Sequence, residues 1–376
     1  MPKKYFIYTF GCHESEADSE RIAGDYEARN YTSALTWEDA DEIILNTCSV
    51  QQSSEDRVID YIDEIKKYFT ENKLPKPKII FTGCMTHHGA QVILKQIPFV
   101  DEVLHISEVG FNTPAIRRDK NHAWVQISSG CNCFCSFCII PYSRGREVSR
   151  PMEDIVNEVN GLSESGYSEI TLLAMNTNSY GLEKDGKCIK ELLLNFDKPL
   201  TNKNIPQNQR QYKSSKSTTP FIKLLRRLSQ FKSIKKIDFL SASIWDFSDE
   251  LIEEVVTNPK ISKHFYLPIQ SGSDRILKLM NRGYTNADTV KFITKIKTRV
   301  PCATFSSDFI VGFPTESESE FQETISLAKK IKFSHANIFY YSPRPGTIAY
   351  RLYPDDISLV VKKRRWNELN LLINKD

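Results

Sequence analysis

Three cysteines stand at equal steps in the first quarter of the chain: Cys12, Cys48 and Cys84 are 36 residues apart. Each closes an apolar run, namely Tyr5 to Phe10, Glu42 to Thr47, and Lys78 to Gly83. Each run leads into a helical pattern, over Glu14 to Asn30, Glu55 to Phe69, and the shorter His88 to Gln96; a fourth run spans Glu102 to Ile106. A strand–helix–strand unit takes about 30 residues or more, so each step is one advance from strand to strand. Runs of this kind alternating with helices mean βαβ units and a parallel sheet. All carboxyl ends of a parallel sheet lie on one edge, where ligands bind. Three thiols distant in sequence can therefore converge there. The alternative is three buried structural cysteines, since free Cys packs as a small hydrophobe. Burial alone does not explain why all three sit at strand ends.

Composition narrows the class. The chain has 376 residues, 40% hydrophobic and 26% charged, which suits two or three globular domains and argues against disorder. No apolar run of about 18 residues is present, so a membrane span is not expected. The opening Met1-Pro2-Lys3-Lys4 leads straight into a strand pattern rather than a secretory signal. The formal charge of +3 does not announce nucleic acid by itself. Nine cysteines cannot all pair within one chain, and without a secretory signal the expected compartment is a reducing cytoplasm. Metal binding or catalysis is the better use of the thiols.

A second αβ series begins near Ala123. Its strands are expected at Trp124–Ser128, Ile170–Met175, Ile237–Ser241, His264–Ile269, Phe305–Val311 and Ala336–Tyr341. Helical patterns separate most of them, including Asp154–Glu164, Ile222–Leu228, Ser248–Val256, Ser273–Met280 and Glu318–Ile331. Six strands are too few for a closed eight-fold barrel and suit an open, partial one. The segment Pro199 to Pro220 is polar, and its charges, Lys203, Arg210, Lys213 and Lys216, are all positive. It reads as a solvated inserted loop, with substrate contact as the alternative. Ser358 to Asp376 reads as a helix whose Lys362-Lys363-Arg364-Arg365 run forms a solvated face.

The sharpest local signal is Cys131-Asn132-Cys133-Phe134-Cys135-Ser136-Phe137-Cys138. Within it Cys131, Cys135 and Cys138 make a C-x3-C-x2-C pattern. Three thiolates on one short loop can hold three irons of a cubane cluster and leave the fourth iron open. Open coordination is what a catalytic metal site needs. Four cysteines could instead close a zinc site, but zinc ligands usually come as two separated pairs. Cys133 is read as a neighbour rather than a ligand, and Cys188 and Cys302 as ordinary packing or surface residues.

This loop, with an aromatic before its last cysteine, resembles the radical S-adenosylmethionine enzymes. Cys12, Cys48, Cys84, Gly130-Cys131-Asn132 and Pro141-Tyr142-Ser143-Arg144-Gly145 resemble, more narrowly, their methylthiotransferases. The resemblance spans nearly the whole chain. Asn46-Thr47-Cys48-Ser49-Val50, Gly83-Cys84-Met85, Gln270-Ser271-Gly272-Ser273-Asp274, Met280-Asn281-Arg282-Gly283-Tyr284-Thr285 and Tyr341-Ser342-Pro343-Arg344-Pro345-Gly346-Thr347 look most like the branch acting on dimethylallyladenosine in tRNA. The competing targets are threonylcarbamoyladenosine in tRNA and a ribosomal protein side chain; a non-catalytic iron–sulfur or zinc RNA-binding module is the alternative from another class.

The resemblance implies an N-terminal α/β domain over 1–115 followed by a partial (β/α)6 barrel over 116–350. Residues 351–376 would be a C-terminal helix leading toward an RNA-binding β-barrel that members usually carry, so this chain alone is expected to bind tRNA weakly. It implies two [4Fe-4S] clusters, one on Cys131, Cys135 and Cys138 with S-adenosylmethionine at its open iron, the other on Cys12, Cys48 and Cys84. One molecule of S-adenosylmethionine would donate methyl and another would yield a radical that abstracts hydrogen from an unactivated C–H bond. Phe137 and Ile310 would lie near adenine, and Asn176 and Gln270 would bond polar groups of the cofactor. Arg144, Arg146 and Arg150 would approach phosphates or be surface charge. The implied substrate is position 37 of a tRNA anticodon loop, whose bases can splay into a pocket. The other implied partners are an electron donor of the flavodoxin or ferredoxin kind and a sulfur source, with the chain acting as a cytoplasmic monomer.

Departures from the family pattern fall beside the ligands. His13-Glu14-Ser15 replaces Gln-Met-Asn, Gln51-Gln52 replaces Arg-Glu, and His87 stands where a Gln is common. Ala174-Met175-Asn176-Thr177-Asn178 replaces Gly-Gln-Asn-Val-Asn, and Ala242-Ser243-Ile244 replaces Ser-His-Pro. All six implied ligands are present. The surrounding groups that tune clusters differ.

Overall fold

The computed structural model describes residues 2–108, 114–182 and 218–375. Cys188 and most of the basic segment from Pro199 lie outside the described residues. The chain divides into two units, Met1–Gln126 with Ile139–Gly145, and Ile127–Cys138 with Arg146–Asp376.

In the first unit, β1 (Lys4–Thr9), β2 (Thr32–Ser33), β3 (Glu42–Thr47), β4 (Lys78–Gly83) and β5 (Glu102–Val103) form one parallel sheet in the order β2-β1-β3-β4-β5. β3 is buried at every position, as a central strand covered on both faces must be. The run expected over Glu102 to Ile106 pairs only at Glu102 and Val103, and a 3-10 turn begins at Ile106. The helix Gln52–Glu71 covers the sheet with an apolar stripe of Val58, Ile62, Ile65 and Phe69. The helix His13–Ala28 instead buries polar groups, including Glu14, Asp18, Glu20 and Arg21. Several are bonded: Gln126 donates to Glu14 (3.0 Å) and Asp18 (2.7 Å), and Arg21 donates to Gln126 (3.0 Å). Arg117 pairs with Glu20 at 2.8 Å. Such a network specifies one seating for the helix because every member needs its partner.

The strand β6 (His122–Gln126) closes the long stretch of the first unit. In the second unit, β7 (Ser128–Ser129) pairs antiparallel with β8 (Val148–Ser149). β9 (Glu169–Leu173) and β10 (Lys236–Phe239) pair in parallel, as do β11 (His264–Tyr266), β12 (Thr304–Val311) and β13 (His335–Tyr340). A parallel bridge from Ile237 to Ile261 continues the order from β10 toward β11, and the Ile127 amide donates to the Leu173 carbonyl at 2.9 Å. The expected helices stand at Met152–Glu164, Pro220–Leu228, Asp249–Thr257, Asp274–Leu279 and Glu318–Ile331. Another, Asn286–Arg299, starts at a capping box of Thr285 and Asp288. The whole is α/β: a parallel-sheet domain followed by a partial βα barrel.

One expectation is corrected. The basic run on the helix Leu359–Ile373 is not a uniformly solvated face. Lys362 and Arg365 are buried. Lys362 donates to the Tyr341 carbonyl (3.0 Å) and Asp355 (2.5 Å), and Arg365 to the buried Glu316 (2.8 Å). Residues three apart share a helix face, so these two turn inward while Lys363 and Arg364 stay exposed.

Candidate metal centres

The first cysteine group is built by register. Thr9 pairs with Asn46, Asn46 with Thr82, and Thr47 with Gly83, so β1, β3 and β4 end in line. The chain leaves two of these strands through glycines. Gly11 precedes Cys12 at φ +145°, and Gly83 precedes Cys84 at φ +91°. A Cβ on Gly83 would stand 2.4 Å from the Thr47 carbonyl oxygen, and one on Gly11 would stand 2.8 Å from Ser15 Oγ. Only glycine permits these turns without strain. Cys12, Cys48 and Cys84 then come within electrostatic reach of one another. Burial pushes the Cys48 thiol up to about 12, and the neighbouring Cys84 adds to the push.

A buried cation adjoins the group. The short helix Ile140–Ser143 carries Arg144 to Cys84, with Nε 3.4 Å from Sγ, and Nη2 donates to Asp18 at 2.6 Å. Burial opposes the charge on Arg144, but Asp18, Cys84 and Glu14 hold it firmly protonated. On the helix His13–Ala28, burial raises the Glu14 carboxyl to about 7 against the pull of Arg144.

The second group lies on the loop after β7. Cys131 and Cys133 are buried, and Cys135 and Cys138 are half-buried. The loop is pinned from outside: Ser136 donates through its amide to the Met280 carbonyl (3.0 Å) and through its hydroxyl to the Leu279 carbonyl (2.7 Å), and Ala349 donates back to the Ser136 carbonyl (2.7 Å). Phe134 adopts a left-handed φ of 49°, and Asn281 donates to its carbonyl at 2.8 Å. A bulky residue there stores strain that its surroundings must hold. Cys135 and Cys131 interact electrostatically. Arg282 donates to Cys135 Sγ at 3.1 Å and to Tyr284 Oη at 3.0 Å, and its guanidinium lies over the Trp245 ring at 4.6 Å. Burial disfavours its charge, yet Tyr284 and Cys135 hold it protonated. Desolvation pushes the Cys135 thiol up while Arg282 pulls it down.

The other expected positions surround this loop unevenly. Phe137 and Ile310 both pack on the apolar cluster of Ile276, Met280, Phe313, Tyr341 and Ala349. Asn176, buried beyond the end of β9, donates to Asp246 (3.0 Å) and approaches Cys133 Sγ (3.7 Å). Gln270, beyond β11, takes a φ of +78°. The side-chain oxygens of Asn176 and Gln270 are buried with no hydrogen-bond partner among the described residues. Orphaned acceptors of this kind call for a ligand or water. Cys302 is exposed. Of the three arginines, Arg144 is committed to Asp18 and Cys84. Arg150 is buried against Glu158 (2.7 Å), and Arg146 lies over the Phe134 ring at 5.3 Å. Arg282 was not singled out by the sequence; its only signal was membership of the Met280–Thr285 string.

The donor set fits iron–sulfur chemistry. Each group offers three thiols and a guanidinium against one sulfur, that of Arg144 buried and that of Arg282 half-buried. Iron–sulfur clusters take cysteine thiolates and are tuned by hydrogen bonds and charge at sulfur. The two orphaned amide oxygens beyond β9 and β11 fit a cofactor with donor groups near the second group.

Residues 125–328 match the radical SAM superfamily, and residues 4–105 match the uncharacterized protein family UPF0004. The tRNA-2-methylthio-N(6)-dimethylallyladenosine synthase of Thermotoga petrophila is 38% identical over 96% of this chain and 80% of its own length. The enzyme of the same name from Dictyoglomus thermophilum is 36% identical over 100% of this chain and 83% of its own length. Among solved structures, the radical S-adenosylmethionine methyltransferase TsrM of Kitasatospora setae, with cobalamin and a [4Fe-4S] cluster bound, shares the fold. Its TM-score is 0.60 at 11% identity, over 93% of this chain and 77% of that one.

Proposed function

Because this chain belongs to the radical SAM superfamily and, within it, to the family of the tRNA-2-methylthio-N(6)-dimethylallyladenosine synthases, we propose that it adds a methylthio group to carbon 2 of N6-dimethylallyladenosine at position 37 of tRNA. The observation that carries this reading is the presence of two three-cysteine groups, each with an arginine on one sulfur, in a chain alignable to such synthases over nearly its whole length.

Cys131, Cys135 and Cys138 hold one [4Fe-4S] cluster with S-adenosylmethionine, and Cys12, Cys48 and Cys84 hold the other. Bound there, the two clusters and S-adenosylmethionine supply the radical that opens an unactivated C–H bond and the sulfur that replaces its hydrogen. The chain's residues bind and position. Arg282 and Arg144 offset the negative charge of thiolate ligands in a poorly solvated place, where such charge would otherwise be costly. Asn176 Oδ1 and Gln270 Oε1 accept hydrogen bonds from the amino groups of S-adenosylmethionine. Phe137 and Ile310 supply an apolar wall for its adenine. The implied external partners are a low-potential electron donor, a sulfur source and the tRNA itself, in the cytoplasm. Among the described residues, no helix is long and apolar enough to cross a membrane.

Nucleoside mass spectrometry of tRNA from a deletion strain tests the assignment. The methylthio form of dimethylallyladenosine should vanish and return when this chain is restored. Loss of the methylthio group from threonylcarbamoyladenosine instead would refute the substrate, and unchanged tRNA would refute the activity.

A further inference from the structure

A third set of ligand-type side chains converges outside both cysteine groups. Glu55, His87 and His88 each place one ligand atom within 4.8 Å of the others. Glu55 sits in the first turn of the helix Gln52–Glu71, and both histidines end the 3-10 turn Cys84–His88. All three belong to the first unit.

The hydrogen bond of His87 suits that ring to coordination. His87 Nδ1 lies 2.8 Å from the Cys84 carbonyl oxygen. With the proton on Nδ1 it donates there, which leaves the Nε2 lone pair for a cation. Metal-bound histidines usually fix their free N–H on a carbonyl in this way. His88 Nε2 stands 3.3 Å from Glu55 Oε1, and the Ser49 hydroxyl donates to the same oxygen. The two imidazole rings are 3.9 Å apart. Two imidazoles and a carboxylate are a donor set for borderline divalent cations such as zinc or ferrous iron. The His88 side chain is 29% exposed, so an ion can reach the set from solvent. Zinc asks ~2.0–2.2 Å of nitrogen and oxygen, so a bound ion would displace the proton between His88 and Glu55.

We propose that Glu55, His87 and His88 form a mononuclear divalent-cation site separate from both cysteine groups. The site ties two segments together. Ser49, next to Cys48, bonds Glu55, and the Cys84 carbonyl bonds His87. A bound ion therefore braces the backbone beside two of the three thiols of the first group. A salt link between His88 and Glu55 alone would leave His87 outside the brace.

The test uses the full chain with both clusters loaded anaerobically, equilibrated with zinc sulfate and then dialysed against metal-free buffer. One zinc per chain should remain, counted separately from iron. His88→Ala and Glu55→Gln should each weaken zinc binding by more than about tenfold, with iron content and visible absorption unchanged. Zinc K-edge absorption of the unaltered protein should show nitrogen and oxygen near ~2.0 Å and no sulfur near ~2.3 Å. That spectrum decides the matter if a variant fails to load its clusters. No retained zinc, equal retention in both variants, or sulfur around the zinc would each overturn the site. Iron content reports the cluster assignment, so the two ideas fail separately.

Discussion

At the residue scale, the chemistry of both cysteine groups is set by charges that come from far along the chain. Arg144 reaches Asp18 across 126 residues, and Arg282 reaches Cys135 across 147. This is why neither role was legible in the sequence: both arginines are visible there, but proximity of this range is a product of folding. Arg282→Met removes a positive charge from beside Cys135, a proposed cluster ligand. Its cluster should then be harder to reduce, so a redox titration should find a lower potential and slower cleavage of S-adenosylmethionine, with iron content unchanged. A different residue sets acid sensitivity. The Arg275 side chain, bonded to both carboxylate oxygens at 2.5 and 2.8 Å, holds the Glu320 carboxyl down at about 2. A lowered folded value means stability that is complete above pH ~4.5 and lost as pH falls toward ~2. Arg275 is half exposed, so solvent screening limits the contribution to about 0.2–1 kcal/mol. Glu320→Gln should lower the urea midpoint at pH 7, and its gap from the unaltered chain should shrink below pH ~4.5. A gap that stays constant would remove Glu320 from the account.

Among elements, the strand ends matter most. The cysteines at 36-residue steps and the apolar runs before them were legible because a βαβ unit has a fixed length and a parallel strand a fixed pattern. The polar network under the helix His13–Ala28 was not legible, since no local period marks Glu14, Asp18 and Arg21 as buried. Nor was the inward turn of Lys362 and Arg365, which depends on partners at Asp355 and Glu316. Gly83 is the element-scale test. A methyl group there would meet the Thr47 backbone at 2.4 Å on a left-handed residue, a strain of about 1–3 kcal/mol. Gly83→Ala should lower thermal stability and reduce iron in the first group while sparing the second. Loss of iron from both groups, or from neither, would show that the turn does not position Cys84.

For the whole molecule, the reading rests on two independent trios of thiolates. The sequence alone suggested this division, and the two compact units each contain one complete trio. The relatives' names carry the proposed reaction. The most direct measurement is the iron content of two anaerobically reconstituted triple variants, one with Cys12, Cys48 and Cys84 changed to Ala, the other with Cys131, Cys135 and Cys138 changed to Ala. Each should retain half the iron of the unaltered chain, and only the first should still cleave S-adenosylmethionine. Full iron in either variant, or cleavage in the second, would contradict the assignment.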